Sequence, residues 1–156
     1  MITTPNDMLN LANDSEIKSI IFDETLYYSG KVTKKNKWGM NQERNFIITD
    51  QAIYNLEKKE VKRKFEIKKI GGITLSKKTD SFIIHGIAPE YDYLVTSVNK
   101  FQIIEMIEII YEAMTSKELL FTIKDTNKLN MYVVSKKERT KNPNLCNFIL
   151  KFLYKY

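Results

Sequence analysis

The residues of this chain that are best suited to chemistry are the basic side chains between Lys31 and Lys69. This segment carries 12 basic and five acidic residues, so its net charge of +7 exceeds the +6 of the whole chain. Lysine supplies a mobile point charge and arginine a planar set of donors, so several of them converging from different strands can bind phosphate oxygens. The segment therefore predicts a surface that binds an anionic partner.

Side chains suited to catalysis are sparse. His85 is the one histidine and lies in an apolar run, where we expect a packed residue rather than a base. Cys146 is the one cysteine, and no second histidine is available to activate it. The sequence has neither a glycine-rich phosphate loop nor the cysteine and histidine spacing of a metal site. We therefore expect no catalytic residue, metal or cofactor, and a binding function instead.

Length and composition predict one globular domain. The chain has 156 residues, of which 43% are hydrophobic and 28% charged, and a chain of this size can bury a substantial core. A lone cysteine favours a reducing compartment. The N-terminal residues lack the basic start and apolar run of a signal peptide, and no apolar stretch approaches the ~20 residues that span a bilayer.

The elements that position the basic residues are predicted to be short strands. Residues 1–24 resemble a leader, and seven runs of strand character follow at intervals typical of a sandwich or barrel. The seven predicted strands are Thr25–Lys34, Arg44–Thr49, Ala52–Leu56, Lys62–Ile70, Ile73–Ser76, Ser81–Ile87 and Tyr91–Ser97. A helical period then begins at Asn99 and continues to about Thr115.

Two further elements are predicted after this helix. Leu119–Lys124 and Leu129–Ser135 predict a β-hairpin, and an amphipathic helix begins at Pro143 with Phe148 and Phe152 in its apolar stripe. We expect this helix to pack on the hairpin or on the barrel; the alternatives are that it binds a partner protein or a membrane surface. The predicted organisation is a leader of residues 1–24, a core of residues 25–115, and a C-terminal hairpin and helix of residues 116–156 packed on that core.

One stretch carries a resemblance to a known family. The segment ERNFIITDQAIYNLEKKEVKRKFEIKKIGGITLSKKTDSFIIHG resembles the tail homology 1 domain of class I myosins, through its Arg-x-aromatic strand and the turn that follows. The likeness covers about residues 25 to 115. It implies a mainly β fold with some α-helix: a pleckstrin-homology-like (PH-like), seven-stranded antiparallel barrel capped by a helix. The extra hairpin and the terminal amphipathic helix follow this barrel.

The resemblance also implies a binding site. In that family a lysine on the first strand, an arginine on the second and an aromatic residue two positions later form a phosphoinositide-binding signature. The matching residues are Lys31, Arg44 and Phe46, but the interval between Lys31 and Arg44 is short, so Lys34 is the alternative first lysine. Neighbouring cations expected to line the same surface are Lys35, Lys37, Lys58 and Lys62.

The loop between the first two strands carries Trp38, which is the one tryptophan, and Met40. Aromatic and apolar side chains beside lysines suit insertion at the level of the lipid headgroups. Tryptophan and methionine are also enriched in protein interfaces, so a partner's pocket is the alternative.

Two functions are compatible with these features. In the first, a non-catalytic PH-like module docks on phosphoinositide-containing membrane through the basic surface of strands 1 and 2. In the second, a structural adaptor is bound within a larger cytoskeletal or ciliary (axonemal) assembly, and an acidic protein surface meets the basic patch. The sequence holds no myosin motor or neck, so either role implies bridging by a cytoplasmic protein that is peripheral at a membrane, the cytoskeleton or a cilium. Nucleic acid is disfavoured, because the patch has few arginines and its aromatic residues fall on apolar strand faces.

Overall fold

The computed structural model describes residues 4–36 and 38–143, and these form mainly β-sheet with a few helices. The chain divides into two compact units that alternate along the sequence. Unit 1 comprises the described residues up to Lys68 together with Phe101–Lys117, and unit 2 comprises Lys69–Lys100 together with the described residues from Glu118 to Pro143.

Unit 1 is built on five strands. They are β1 (Asn6–Asp7), β2 (Leu26–Lys35), β3 (Asn41–Thr49), β4 (Ala52–Glu57) and β5 (Glu60–Glu66). Strands β2 to β5 are joined as an antiparallel meander in the order β5-β4-β3-β2, and the short β1 pairs with β2 in parallel. The second half of β3, from Phe46 to Thr49, and most of β4, from Ala52 to Leu56, are buried on both faces, so mostly apolar residues follow one another there instead of alternating with polar ones.

Helix α1 (Ser15–Ile21) packs on this meander. The Asp14 carboxylate caps it by accepting hydrogen bonds from the amides of Glu16 and Ile17. Ile17 and Ile21 are buried in one apolar cluster with residues of β2, β3 and β4. Part of the segment 1–24, expected from the sequence to be a leader, therefore contributes to the core of unit 1.

Helix α2 (Lys100–Thr115) follows the predicted helical period. Its residues Ile103, Ile104, Ile107 and Ile110 recur every three or four positions and are all buried. The prediction of an amphipathic core helix in this part of the chain is confirmed.

Unit 2 contains four strands, β6 (Ile70–Ser76), β7 (Ser81–Gly86), β8 (Tyr93–Thr96) and β9 (Phe121–Lys124), in the order β8-β7-β6-β9. Strand β9 pairs with β6 in parallel, with Ile73 opposite Phe121. A 3-10 turn at Leu129–Tyr132 and helix α3 (Lys136–Lys141) complete the described part of unit 2.

The prediction of a C-terminal hairpin is wrong. Only the first half of the predicted hairpin is a strand, β9, and it pairs with β6 instead of with residues 129–135. The second half is anchored differently: Leu129 and Val134 are buried, and the Val134 amide donates to the Asp92 carboxylate at 2.9 Å.

The Asp92 carboxylate also forms a hydrogen bond with His85, which is 1% exposed. His85 Nδ1 lies 2.9 Å from Asp92 Oδ2, and its Nε2 lies 2.7 Å from the Thr74 hydroxyl. The Gly86 amide donates to the other oxygen of Asp92 at 3.1 Å. The expectation that His85 is a packed residue is confirmed.

The seven strands predicted from the sequence are all present, displaced by a few residues at their ends. The described residues contain nine strands in total: these seven, β9, which falls within the first strand of the predicted hairpin, and β1, which was not predicted. The closed seven-stranded barrel stays a prediction.

Some predicted residues lie outside the described ones. They are Lys37, Phe148, Phe152 and all but the first residue of the predicted terminal helix. Within residues 4–36 and 38–143, no helix has both the length and the apolar content to cross a bilayer.

Candidate functional site

The register of β2 against β3 decides which cations share a face of unit 1. Val32 lies opposite Arg44 and Lys34 lies opposite Gln42, whereas Lys31 lies opposite Asn45. Because neighbouring residues of a strand point to opposite faces, Lys34 and Arg44 share one face. Lys31 lies on the other face.

Arg44 is a buried cation with unused hydrogen-bonding capacity. The residue is 8% exposed, and its two terminal nitrogens donate to the Glu43 carbonyl and to Gln42 Oε1, each at 3.1 Å. The carboxylate of Glu57 lies 3.7 Å from Nη1. The buried Nε has no hydrogen-bond partner, and such a group is costly to leave unsatisfied.

The same face continues across β4 and β5. Phe46 lies opposite Asn55, and Asn55 lies opposite Arg63. The side-chain oxygen of Asn55 is buried and also has no hydrogen-bond partner. The guanidinium carbon of Arg63 lies 4.9 Å from the centre of the Phe65 ring, a distance typical of a cation–π contact.

The strand register places Lys34, Arg44 and Arg63 on one face of unit 1, and the direction of the pKa shift of Lys34 agrees with this arrangement. Burial lowers the pKa of Lys34, and the charges of Arg44 and Arg63 lower it further, whereas the charge of Glu57 acts in the opposite direction. Lys34, Arg44 and Arg63 are called the cationic cluster below. Three strands supply its members: β2, β3 and β5.

Sequence reasoning did not include Arg63. The signal that identifies it is its position two residues before Phe65, because alternation along β5 then places Arg63 on the apolar face with that ring. The sequence interpretation considered only the lysines on the outward face of this strand.

Phe46, the aromatic residue of the predicted signature, is buried in unit 1. It was expected to belong to the headgroup site, but it is 0% exposed and packs edge-to-face against Tyr28, with ring centroids 6.5 Å apart. A side chain buried in this way supports the β2–β3 ladder from inside. It offers no surface to a ligand in this structure.

The other predicted cations lie around the cluster rather than in it. Lys31 donates to Glu43 at 2.5 Å on the opposite face, and both side chains are more than half exposed. Lys35 is exposed at the end of β2, and Lys58 is exposed in the β4–β5 turn. Lys62 lies 3.0 Å from Glu60 and 3.4 Å from Glu57.

The β2–β3 turn holds Trp38 and Met40 away from the core. Asn36 Oδ1 accepts hydrogen bonds from the amides of both residues at 2.9 and 3.0 Å, and Gly39 adopts the left-handed φ of +79° that the turn requires. Trp38 is 72% exposed and Met40 is 59% exposed. The turn therefore displays two apolar side chains at the end of the ladder where Lys34 lies.

Metal binding receives no support from the part of the chain that the structure describes. Residues 4–36 and 38–143 contain no group of three histidine, cysteine, aspartate or glutamate side chains that could hold an ion. The cationic cluster consists of side chains that donate hydrogen bonds and carry positive charge, which are the groups that bind anions in proteins.

Comparison with solved structures gives the fold. The hSac2 domain from human phosphoinositide phosphatase Sac2 matches with a TM-score of 0.59 and 12% identity, over 76% of this chain and 89% of that one. Two structures of human RhoA with DH/PH fragments match with TM-scores of 0.53 and 0.54 and identities of 13% and 11%. These contain the DH/PH fragment of PDZRHOGEF, matched over 64% of this chain, and the DH/PH domain of human ARHGEF11, matched over 69%. This chain spans only 32% and 36% of the lengths of those two chains. At such identities the likeness concerns the fold alone, which is PH-like.

Comparison with protein families agrees with the resemblance seen in the sequence. Residues 5–144 match the family described as "unconventional myosin tail, actin- and lipid-binding". The match begins before α1, so it includes residues 5–24 of the segment that the sequence suggested was a leader. The chain belongs to the unconventional myosin tail family, known as tail homology 1.

Proposed function

We propose that this chain is a non-catalytic module that docks on membranes by binding a phosphorylated inositol headgroup in the cationic cluster. The observation that carries the proposal is the convergence of Lys34, Arg44 and Arg63 on one face of unit 1. Three strands contribute one cation each, and a phosphate group with several acceptor oxygens satisfies such an arrangement. The lipid-binding description of the family and the PH-like fold support this reading.

The degree of burial of each cation suits this role. Arg44 forms the floor, because it is almost completely buried, and its unsatisfied Nε adds a donor for an anionic oxygen. Lys34 and Arg63 are partly exposed, so their charged groups can contact a ligand from the solvent side of Arg44. Charge-assisted hydrogen bonds are stronger in such a desolvated setting than in water.

The β2–β3 turn supplies a second contribution. Trp38 and Met40 are exposed beside this site and would enter the headgroup layer. Exposed Lys35 and Lys58 add attraction of about 1 kcal/mol each near an anionic leaflet. Binding would therefore combine one specific pocket with a nonspecific basic and apolar rim.

Vesicle co-sedimentation at physiological salt tests the proposal. We expect the chain to bind phosphatidylcholine vesicles that contain phosphatidylinositol bisphosphate, and Arg44→Gln to lose most of this binding. Lys31→Gln is the matched control, because it removes the same charge from the opposite face and should bind nearly as wild type. Equal binding by Arg44→Gln and wild type, with both proteins folded, would refute the headgroup site.

A second candidate is an adaptor within a cytoskeletal assembly. The family description supports it, because it names actin beside lipid, and the exposed Trp38 and Met40 suit a protein pocket as well as a membrane. Co-sedimentation with filamentous actin in the absence of lipid tests this role. Binding to filaments that Trp38→Ser weakens would support the adaptor, and no binding to filaments would exclude actin as the direct partner. The ciliary location stays a prediction from the sequence.

A further inference from the structure

Glu57 lies at the border of the cationic cluster, at the end of β4. Its Oε1 lies 3.7 Å from Arg44 Nη1 and its Oε2 lies 3.4 Å from Lys62 Nζ. The electrostatic influence of Glu57 also reaches Lys34. An acidic group thus lies where an anionic ligand of the cluster would have to bind.

The environment of Arg44 explains why an acid is useful there. A buried charge without a counter-charge is strongly destabilising. Within the described residues, Glu57 supplies the carboxylate that lies within 4.0 Å of the Arg44 guanidinium. The pair is nevertheless loose, because 3.7 Å exceeds an ordinary hydrogen-bond distance and Arg44 Nε has no hydrogen-bond partner.

Glu57 is also free to leave. Its side chain is 51% exposed, whereas that of Arg44 is 9% exposed, so a rotation about its own bonds moves the carboxylate into solvent. Lys62 does not lose its counter-charge when this happens, because Glu60 lies 3.0 Å from the same ammonium. The geometry therefore permits exchange of the carboxylate for a ligand at little cost to its neighbours.

We infer that Glu57 is an internal counter-anion of the binding site, which neutralises Arg44 in the free protein and must be displaced by the phosphate group of an incoming ligand. This inference rests on the proposed function. Glu57 lowers the affinity of the site for anions, because a ligand must first break the interaction between Glu57 and Arg44. A ligand therefore binds only if its own interaction with the cationic cluster is stronger than that one. Weakly held anions are thereby excluded from an otherwise strongly basic surface.

The test is the variant Glu57→Gln, with Glu60→Gln as its matched control. Both substitutions remove one negative charge from facing positions of the β4–β5 hairpin and both remove a contact with Lys62, but only Glu57 contacts Arg44. We expect Glu57→Gln to raise the affinity for soluble inositol trisphosphate about three- to tenfold, and Glu60→Gln to raise it less than about twofold. Calorimetry gives the affinities, and thermal melting shows that each variant is folded.

A double-variant cycle separates competition from general electrostatics. If Glu57 acts through the charge of Arg44, the gain from Glu57→Gln falls to that of Glu60→Gln when Arg44 is replaced by Gln. A gain that persists in the Arg44→Gln background, or equal gains from Glu57→Gln and Glu60→Gln in a wild-type background, would overturn the inference while leaving the proposed site intact. If wild type and all variants fail to bind inositol trisphosphate or phosphoinositide vesicles, the proposed function itself fails. Binding of vesicles without binding of the soluble headgroup would place recognition in the bilayer surface and would also overturn the role of Glu57.

Discussion

Lys31 and Arg44 lie on opposite faces of the β2–β3 ladder, because Lys31 is paired with Asn45 whereas Arg44 is paired with Val32. Lys34, three residues farther along β2, lies on the face of Arg44, since an odd displacement along a strand reverses the face. Lys34 and Arg44 therefore share a face, whereas Lys31 lies on the other face and is paired with Glu43.

This relationship predicts unequal effects of two lysine substitutions. Lys34→Gln should weaken the binding of soluble inositol trisphosphate about fivefold or more, because it removes a charge of the cationic cluster. Lys31→Gln should change the affinity little, since its charge is exposed and already paired with Glu43. Isothermal titration calorimetry measures both, and a larger loss for Lys31→Gln would contradict the assignment of faces.

Trp38 predicts a spectroscopic signal of membrane contact. It is the one tryptophan of the chain and is 72% exposed, so its fluorescence should resemble that of a hydrated indole. Adding phosphoinositide vesicles should shift the emission to shorter wavelengths, because the ring enters the headgroup region.

Met40→Ser provides the control for this signal. It should weaken vesicle binding and reduce the shift, while affinity for the soluble headgroup stays unchanged. Unshifted emission from protein that sediments with vesicles would show that the turn remains in water.

The surroundings of Gly30 leave no room for a larger side chain at this position of β2. A Cβ at this position would lie 2.3 Å from the hydroxyl oxygen and 2.8 Å from Cζ of the fully buried Tyr28. Gly30→Ala should therefore lower the free energy of unfolding by about 1–3 kcal/mol, as overpacking does elsewhere.

Urea denaturation measures this loss. The double variant Tyr28→Phe/Gly30→Ala removes the nearest clashing atom, so it should recover part of the stability relative to Tyr28→Phe alone. An unchanged unfolding midpoint for Gly30→Ala would show that the Tyr28 ring moves aside without cost.

The environment of Asp7 predicts that the stability of the fold depends on pH in the acidic range. Burial acts to raise the pKa of Asp7, but hydrogen bonds from the Ser29 hydroxyl and from the amides of Leu11 and Ala12 outweigh it, so the pKa is lowered. A carboxyl group whose pKa is lower in the folded state stabilises the fold above its unfolded pKa of about 4 and loses this effect as the pH falls through the folded value.

Asp7→Asn should consequently melt at a lower temperature than wild type at neutral pH, and the difference should shrink at pH values below about 4. Scanning calorimetry across this range gives the comparison. Glu118→Gln, which removes an exposed carboxylate, serves as the control and should track wild type throughout. A constant difference for Asp7→Asn at all pH values would show that the lost contacts are not linked to ionisation.

Local patterns in the sequence were sufficient to predict β2 to β8 and α2. Strands such as β5 and helices such as α2 are long enough to show their period, and the turn Asp50-Gln51 marks a clear boundary between β3 and β4. Other elements depend on distant partners. Strand β1 is two residues long and exists because it pairs with Tyr28 and Ser29, and β9 pairs with β6 about 48 residues away in sequence.

The candidate site was predictable in composition but not in geometry. The resemblance indicated Arg44, and the short interval before it already made Lys34 the alternative to Lys31. The choice between these lysines depends on the register across the β2–β3 turn, which a single sequence does not determine. Arg63 and Glu57 join the site through the pairing of β4 with β5, and no local pattern relates either of them to Arg44.

The alternation of the two units along the chain has a consequence for the order of events during synthesis. Unit 1 begins at the N-terminus, but its helix α2 follows the whole of Lys69–Lys100, and unit 2 obtains β9 only after α2 has been made. As the chain leaves the ribosome, unit 1 stays incomplete until α2 has emerged, and unit 2 stays incomplete until β9 has emerged. We therefore expect stable folding to wait for residues near Lys124, and premature termination inside α2 to expose unfinished cores of both units to chaperones and proteases.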